Sequence, residues 1–125
     1  MERKIKISSG VIEVEGVISN SPTADAVWDA LPFTAEVNTW GDEIYFTVPV
    51  QVGLEGNASE VVENGDMGYW PTGSAFCIFF GPTPISRQGE IRPASAVNVF
   101  GKIKGDTSVL KEISSGSKIV VKRTT

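Results

Sequence analysis

Apolar and polar residues alternate along most of this chain, which is the pattern of β-strands that bury one face. The clearest case is the stretch 43–52, whose apolar face carries Ile44, Phe46, Val48, Val50 and Val52. Its opposite, more polar face carries Glu43, Tyr45, Thr47 and Gln51. The same pattern, read along the chain, predicts eight strands, at about 4–7, 11–18, 34–39, 43–52, 67–70, 75–80, 96–103 and 117–123.

Helical spacing is found in two places. Residues 22–31 are predicted to form the main helix, with Ser21 as its N-cap and Pro22 at the first helical position. Trp28 lies on the apolar stripe of that helix, so we expect it to pack on the sheet rather than to serve as a ligand platform. A short second helix is predicted at 107–113. Strands in this number, with two helices, predict a mainly β fold: a closed eight-stranded antiparallel barrel in one domain spanning residues 1–125.

The run Phe76 to Phe80 is apolar at every position and too short for a helix. It therefore predicts a strand that is covered on both faces, with glycines and prolines fixing the chain before and after it. Cys77, the one cysteine, lies within this run. We expect Cys77 to be a small buried hydrophobe rather than a reactive thiol.

The chain has no histidine and a single cysteine, which removes zinc sites and Ser/His or Cys/His nucleophile pairs. The acids Glu60, Glu63 and Asp66 do not have the spacing of a calcium loop and are predicted to form a solvated face. We therefore expect no metal site and no cofactor. Any catalysis would have to use carboxylates, arginine, lysine, tyrosine or backbone groups.

Charge is distributed unevenly. There is no lysine or arginine between Ile7 and Ser86, a region that holds eleven of the fifteen acids, and the net charge is −4. Basic terminal strands are predicted to pair with acidic middle strands, and nucleic-acid binding is not expected.

No apolar stretch is long enough to cross a membrane, and the N-terminus lacks the apolar region of a signal peptide. These features predict a cytoplasmic protein without a membrane partner.

Three segments carry a resemblance to a known family. The stretch 21–31 resembles the first helix of cyclophilins, the prolyl isomerases, and follows two strands as it does there. The stretches 69–84 and 91–99 resemble more closely a small prokaryotic cyclophilin-like family of unknown function. The resemblance covers nearly the whole chain and implies a barrel of eight strands capped by helices.

The resemblance does not carry the isomerase activity with it. Where cyclophilins have Phe-His-Arg, with the arginine as the central catalytic group, this chain has Phe76, Cys77 and Ile78. Arg87 and Arg92 are the arginines nearest to this motif, and one of them is a candidate replacement for the missing group. The alternative is that both lie at the surface or pair with Glu60, Glu63 or Asp66. Gln88 is a weaker catalytic candidate, since it matches the cyclophilin Gln-Gly only after an insertion.

A ligand is predicted to bind beside the Trp70-to-Pro84 segment, with Trp70 the most exposed aromatic residue because a turn follows it. Part of the aromatic set is expected to belong to the core instead. The candidate ligand-binding residues are Tyr69, Trp70, Pro71, Phe76, Phe80, Pro82 and Thr83.

Three functions fit these observations. The first is a binding module for a peptide or small-molecule ligand, with weak or no prolyl isomerase activity. The second is a non-standard peptidyl-prolyl isomerase that uses Arg87 or Arg92. The third is an accessory domain of a carboxylase or amide-hydrolase complex, since cyclophilin-like barrels occur there. The identity of the ligand and the oligomeric state stay open at this stage.

Overall fold

The computed structural model describes residues 3–124. It contains nine strands, one α-helix and two 3-10 turns within these residues. The elements in chain order are β1 (Arg3–Ser9), β2 (Ile12–Ile18), α1 (Pro22–Ala30), β3 (Phe33–Glu36), β4 (Asn38–Thr39), β5 (Glu43–Thr47), β6 (Asp66–Trp70), the 3-10 turn Pro71–Gly73, β7 (Ala75–Phe79), β8 (Asn98–Lys104), the 3-10 turn Ser108–Glu112 and β9 (Lys118–Arg123).

The strands form one antiparallel sheet in the order β3-β9-β1-β2-β8-β6-β7-β5-β4. The sheet curls until its two ends approach each other, and the rings of Phe33 on β3 and Phe46 on β5 lie 6.4 Å apart. The result is a nearly closed β-barrel, as the alternating pattern predicts. Near-closure leaves little free strand edge on which another chain could pair.

The strand count and the second helix differ slightly from the prediction. The predicted strand 34–39 is divided at Val37, because β3 pairs with β9 whereas β4 pairs with β5. Val37 lies between the two pairings, and its backbone bonds to Gly116 and Ser117 instead. The predicted helix 107–113 is the 3-10 turn Ser108–Glu112. The main helix is confirmed at Pro22–Ala30, with the Ser21 hydroxyl accepting from the Ala24 amide at 3.0 Å.

The barrel interior is packed with aromatic rings. Phe76 on β7 stacks on Phe46 at 4.9 Å between ring centroids and meets Phe100 edge-on, also at 4.9 Å. All three residues are fully buried. Trp28 packs against the edge of this core, as predicted, and the Arg123 guanidinium lies 4.4 Å from its ring centroid.

A second, smaller cluster lies on the opposite face of β7. It consists of Val62, Ala75, Cys77, Phe79 and Val97. Two long loops, 48–65 and 80–97, cover it and join through isolated β-bridges at Ser59–Val97 and Val62–Ile91. Every residue of β7 is therefore buried, which confirms the prediction that this strand is covered on both sides.

A buried hydrogen-bond network anchors loop 48–65 to the barrel. The Asn98 amide donates to the Gly53 carbonyl at 2.9 Å and to the Thr23 hydroxyl at 3.0 Å, and its oxygen accepts from the Glu55 amide at 2.9 Å. Glu55 in turn accepts from the Thr23 backbone at 3.0 Å. This network ties the start of the loop to α1 and β8, so the covering layer has a fixed position over β7.

The prediction that basic terminal strands pair with acidic middle strands holds for β1 beside β2, but the basic strands β1 and β9 also pair with each other and place Lys6 opposite Lys122. Basic residues near the chain ends contact acids of the middle segment, as in Lys6–Glu13 at 3.5 Å and Lys102–Glu63 at 2.8 Å. These pairs lie at the surface, where each contributes little to stability.

Candidate functional site

A cavity of about 270 Å³ lies where the covering loops meet the outer face of β5 and β7. Three aromatic side chains line it: Trp40, Tyr45 and Trp70. Glu43 and Cys77 contribute its two other side chains from the sheet. The last part of loop 80–97 completes the lining with Pro93, Ala94 and Val97.

Strand register brings these side chains together. Tyr45 pairs with Cys77 and Glu43 pairs with Phe79 across β5 and β7, while Trp70 pairs with Ala75 across β6 and β7. Since alternate residues share a face, Glu43, Tyr45, Cys77 and Trp70 all point to the outer side of the barrel. In β5 and β7, one set of alternate residues fills the barrel, and the other set faces outward and lines the cavity.

Three contacts hold the Trp70 ring. Its indole Nε1 donates to the Ser95 hydroxyl at 2.6 Å. Its ring meets Tyr45 nearly perpendicularly, with centroids 6.4 Å apart and an interplanar angle of 79°. Beneath it lies Gly73, where an added Cβ would come within 2.9 Å of Trp70 Cζ3. These three contacts therefore hold the ring in one orientation at the edge of the cavity.

Replacing Gly73 with alanine is expected to displace the Trp70 ring, because 2.9 Å is shorter than any normal carbon–carbon contact. The indole N–H resonance of Trp70 should shift in NMR spectra as the bond to Ser95 weakens. Stability should change by about 1 kcal/mol at most, since reduced freedom of the unfolded chain offsets the crowding. Gly56→Ala is the matched control, because nothing lies within 4 Å of its added Cβ. An unchanged Trp70 resonance in Gly73→Ala would contradict this packing.

Glu43 is the unusual residue of the cavity. It is only 5% exposed although it lies on the more polar face of its strand. Burial raises the pKa of its carboxyl from 4.5 to about 7, and a hydrogen bond from the Cys77 thiol opposes this only partly. Within residues 3–124, no lysine or arginine pairs with it.

Cys77 lies beneath the cavity as a buried free thiol. Burial, together with the neighbouring Glu43 charge, raises the pKa of this thiol well above its usual value. Cys77 therefore stays protonated at neutral pH and does not act as a nucleophile.

The sequence-predicted ligand residues occupy several environments. Trp70 lines the cavity, and Pro71 follows it in the 3-10 turn. Tyr69, Phe76 and Phe80 lie in the main core, where the Tyr69 hydroxyl donates to the Val50 carbonyl. Pro82 is exposed, and Thr83 is buried with its hydroxyl donating to the Arg92 carbonyl. Trp70 is thus the one member of this set that the structure brings to the cavity described here.

The three catalytic candidates lie on loop 80–97 outside the cavity lining. Arg87 and Gln88 are exposed, whereas Arg92 is partly buried. The Arg92 Nε contacts Glu90 at 3.1 Å, so this arginine pairs with a nearer acid than the ones expected. Glu63 and Asp66 pair with Lys102 instead. Ile78, at the position of the cyclophilin arginine, is fully buried in the barrel core.

Sequence reasoning missed seven of the cavity residues: Trp40, Glu43, Tyr45 and Cys77 on or beside the sheet, and Pro93, Ala94 and Val97 on the loop. Alternation indicated that Glu43 and Tyr45 share a face, but gave no sign that a loop fifty residues away would cover that face. The sequence signal that could have indicated this site is an acid between two bulky aromatic residues, as Glu43 lies between Trp40 and Tyr45.

Two further features are absent from the described part of the chain. No cluster of three or more histidine, cysteine, aspartate or glutamate side chains could hold a metal ion there. No helix there has the length and apolar character needed to cross a bilayer.

Comparison with known proteins identifies the family. The family model of the cyclophilin-like proteins matches residues 3–122. This chain belongs to the cyclophilin-like family. A hypothetical protein from Archaeoglobus fulgidus, known from a solution structure, is 46% identical, with a TM-score of 0.82 over 98% of this chain and 95% of the archaeal one. No curated protein matches.

Membership of the cyclophilin-like family accounts for the barrel and agrees with the resemblance seen in the sequence. The archaeal relative is described only as hypothetical, so it brings no activity or ligand with it. The function of this cyclophilin-like protein must therefore be argued from its own cavity.

Proposed function

We propose that this protein is a binding module that holds a small molecule or a short peptide segment in the cavity beside Trp70, with little or no prolyl isomerase activity. The observation that carries this proposal is a preformed cavity of about 270 Å³ with aromatic walls and one buried carboxyl group. Apolar walls with few, fixed polar groups are typical of ligand sites.

The side chains around the cavity favour binding over isomerisation. Lowering the barrier to rotation about a prolyl bond calls for a strong hydrogen-bond donor near the prolyl nitrogen. No lysine or arginine is among the described residues that line the cavity. The nearest sequence candidate, Arg92, already has its guanidinium on Glu90.

A ligand screen monitored by NMR tests the proposal. Compounds that bind are expected to shift the indole N–H signals of Trp40 and Trp70, because both side chains line the cavity. Trp70→Ala should weaken binding about tenfold or more, since it removes a wall of the site. Trp28→Phe is the matched control and should leave binding unchanged, because Trp28 lies on α1 beside Arg123.

Two results would contradict the proposal. One is a screen without any compound that shifts the cavity signals; the other is a set of binders that Trp70→Ala leaves unaffected. In an assay with a proline-containing peptide, we expect a rate of cis–trans isomerisation no higher than the uncatalysed rate. A rate abolished by Arg87→Ala or Arg92→Ala would establish the isomerase alternative instead.

A further inference from the structure

The cavity contains an acid without a cationic partner. Glu43 is the one carboxyl group among its described lining residues, and no lysine or arginine lines it. Elsewhere in residues 3–124, several acids contact basic side chains, as Glu63 and Asp66 do with Lys102 at 2.8 and 3.5 Å. Cys77, the neighbouring lining residue on β7, is an uncharged thiol and does not supply a positive charge to Glu43.

A buried carboxylate is unfavourable unless it is paired, because it has lost its hydration. In the free protein the penalty appears as the raised pKa of Glu43, about 7, which keeps part of the population neutral at physiological pH. A ligand that brings a positive charge into the cavity would remove this penalty. A ligand that brings a negative charge would increase it.

The aromatic rings around Glu43 favour the same kind of ligand. Tyr45 and Trp70 both line the cavity and meet nearly perpendicularly, at 79°, and Trp40 is a third aromatic lining residue. Aromatic rings attract cations electrostatically, most strongly where water is excluded. Pro93, Ala94 and Val97 complete an apolar lining that suits alkyl groups better than a hydrated metal ion.

We infer that the cavity selects a compact organic cation, an amine or quaternary ammonium group with apolar substituents, which pairs with Glu43 between Trp40, Tyr45 and Trp70. This inference rests on the proposed binding function and names the chemical class of its ligand. A free small molecule and a methylated lysine side chain of a peptide share this chemistry.

Choline and its neutral, shape-matched analogue 3,3-dimethylbutan-1-ol provide the test. Binding to the full chain is measured by NMR titration at pH 8.5, where the Glu43 carboxyl is mostly ionised. Of the lining residues, Tyr45 and Cys77 are the other titratable groups. We expect choline to bind at least about tenfold more tightly than the alcohol.

Variants separate the charge from the shape of the site. Glu43→Gln should reduce choline affinity about tenfold and leave the alcohol within about twofold. Trp70→Ala should weaken both compounds. A short peptide with trimethyl-lysine, titrated in parallel, identifies the source: tighter binding than choline favours a peptide, and equal or weaker binding favours a free small molecule.

The outcomes distinguish this inference from the proposed function. Equal binding of choline and the alcohol, or choline binding that Glu43→Gln leaves unchanged, overturns the cation inference but leaves the cavity a binding site. If neither compound binds while the screen finds other cavity ligands, the cation inference again fails alone. If the screen also finds no cavity ligand, both proposals fail.

Discussion

Replacing Glu43 with glutamine is expected to stabilise this protein at pH 8 by about 3 kcal/mol and to change its stability little at pH 4. Burial raises the pKa of Glu43 from its ordinary 4.5 to about 7 in the folded state. Between these two values the folded protein holds a proton that the unfolded chain has released. The wild type therefore loses stability as the pH rises from about 4.5 to about 7, whereas the glutamine variant has no such loss.

Urea unfolding at a series of pH values between 4 and 8 measures this effect. Glu15→Gln serves as the control, because Glu15 is an exposed carboxylate on β2 and its replacement should have a small effect throughout. Parallel stability curves for the wild type and Glu43→Gln would show that the Glu43 carboxyl is solvated in the folded state. That result would also remove the physical basis of the cation inference.

A gain in stability on removing Glu43 would indicate that the residue is retained for function. Functional residues often destabilise the fold that carries them, because their charge or conformation serves the ligand and not the core. A bound cation would reverse the loss, since a ligand that binds only the folded state stabilises it by mass action.

Replacing Phe76 with alanine is expected to lower the free energy of unfolding by about 3–5 kcal/mol. Phe76 is fully buried and contacts Phe33, Phe46 and Phe100, with ring centroids 6.0, 4.9 and 4.9 Å away. Its truncation removes these contacts and opens a hole that the rigid barrel wall cannot close. For a domain of this size the loss is a large part of the total stability.

Phe76→Leu keeps this prediction measurable if the alanine variant does not fold, and should cost about 1–2 kcal/mol. Pro82→Ala is the matched control: it is another sequence-predicted ligand residue, but it is exposed, so it should alter stability by about 1 kcal/mol at most, mainly through the freedom of the unfolded chain. Urea denaturation followed by circular dichroism measures all three. A Phe76→Ala protein with near-normal stability and lost ligand binding would place Phe76 in the site instead of the core.

Local sequence patterns predicted most of the strands and the main helix of this fold. Alternation in 43–52 predicted which side chains fill the barrel, and Ile44 and Phe46 are both fully buried. Ser21 and Pro22 predicted where α1 begins. The uniformly apolar run 76–80 predicted a strand covered on both faces. These features are local, because strand and helix periods are set by the backbone geometry of neighbouring residues.

Local patterns did not predict which strands pair with each other. The predicted strand 34–39 is divided because its first part, β3, pairs with β9 and its last part, β4, pairs with β5. Val37 lies between the two parts. The 3-10 turn Ser108–Glu112 likewise buries Leu110 in the barrel core, which strands distant in the sequence build. Neither partner is encoded in the segment itself.

The position of the cavity depends on contacts between distant parts of the chain. Trp70 was predicted from its own turn, since Pro71 and Gly73 follow it directly. Glu43 has a surface pattern in the sequence, and it is buried because Pro93, Ala94 and Val97 return over β5 from about fifty residues further along the chain. Alternation fixes the side of a strand on which a residue lies, but the solvation of that side depends on what the rest of the chain places over it.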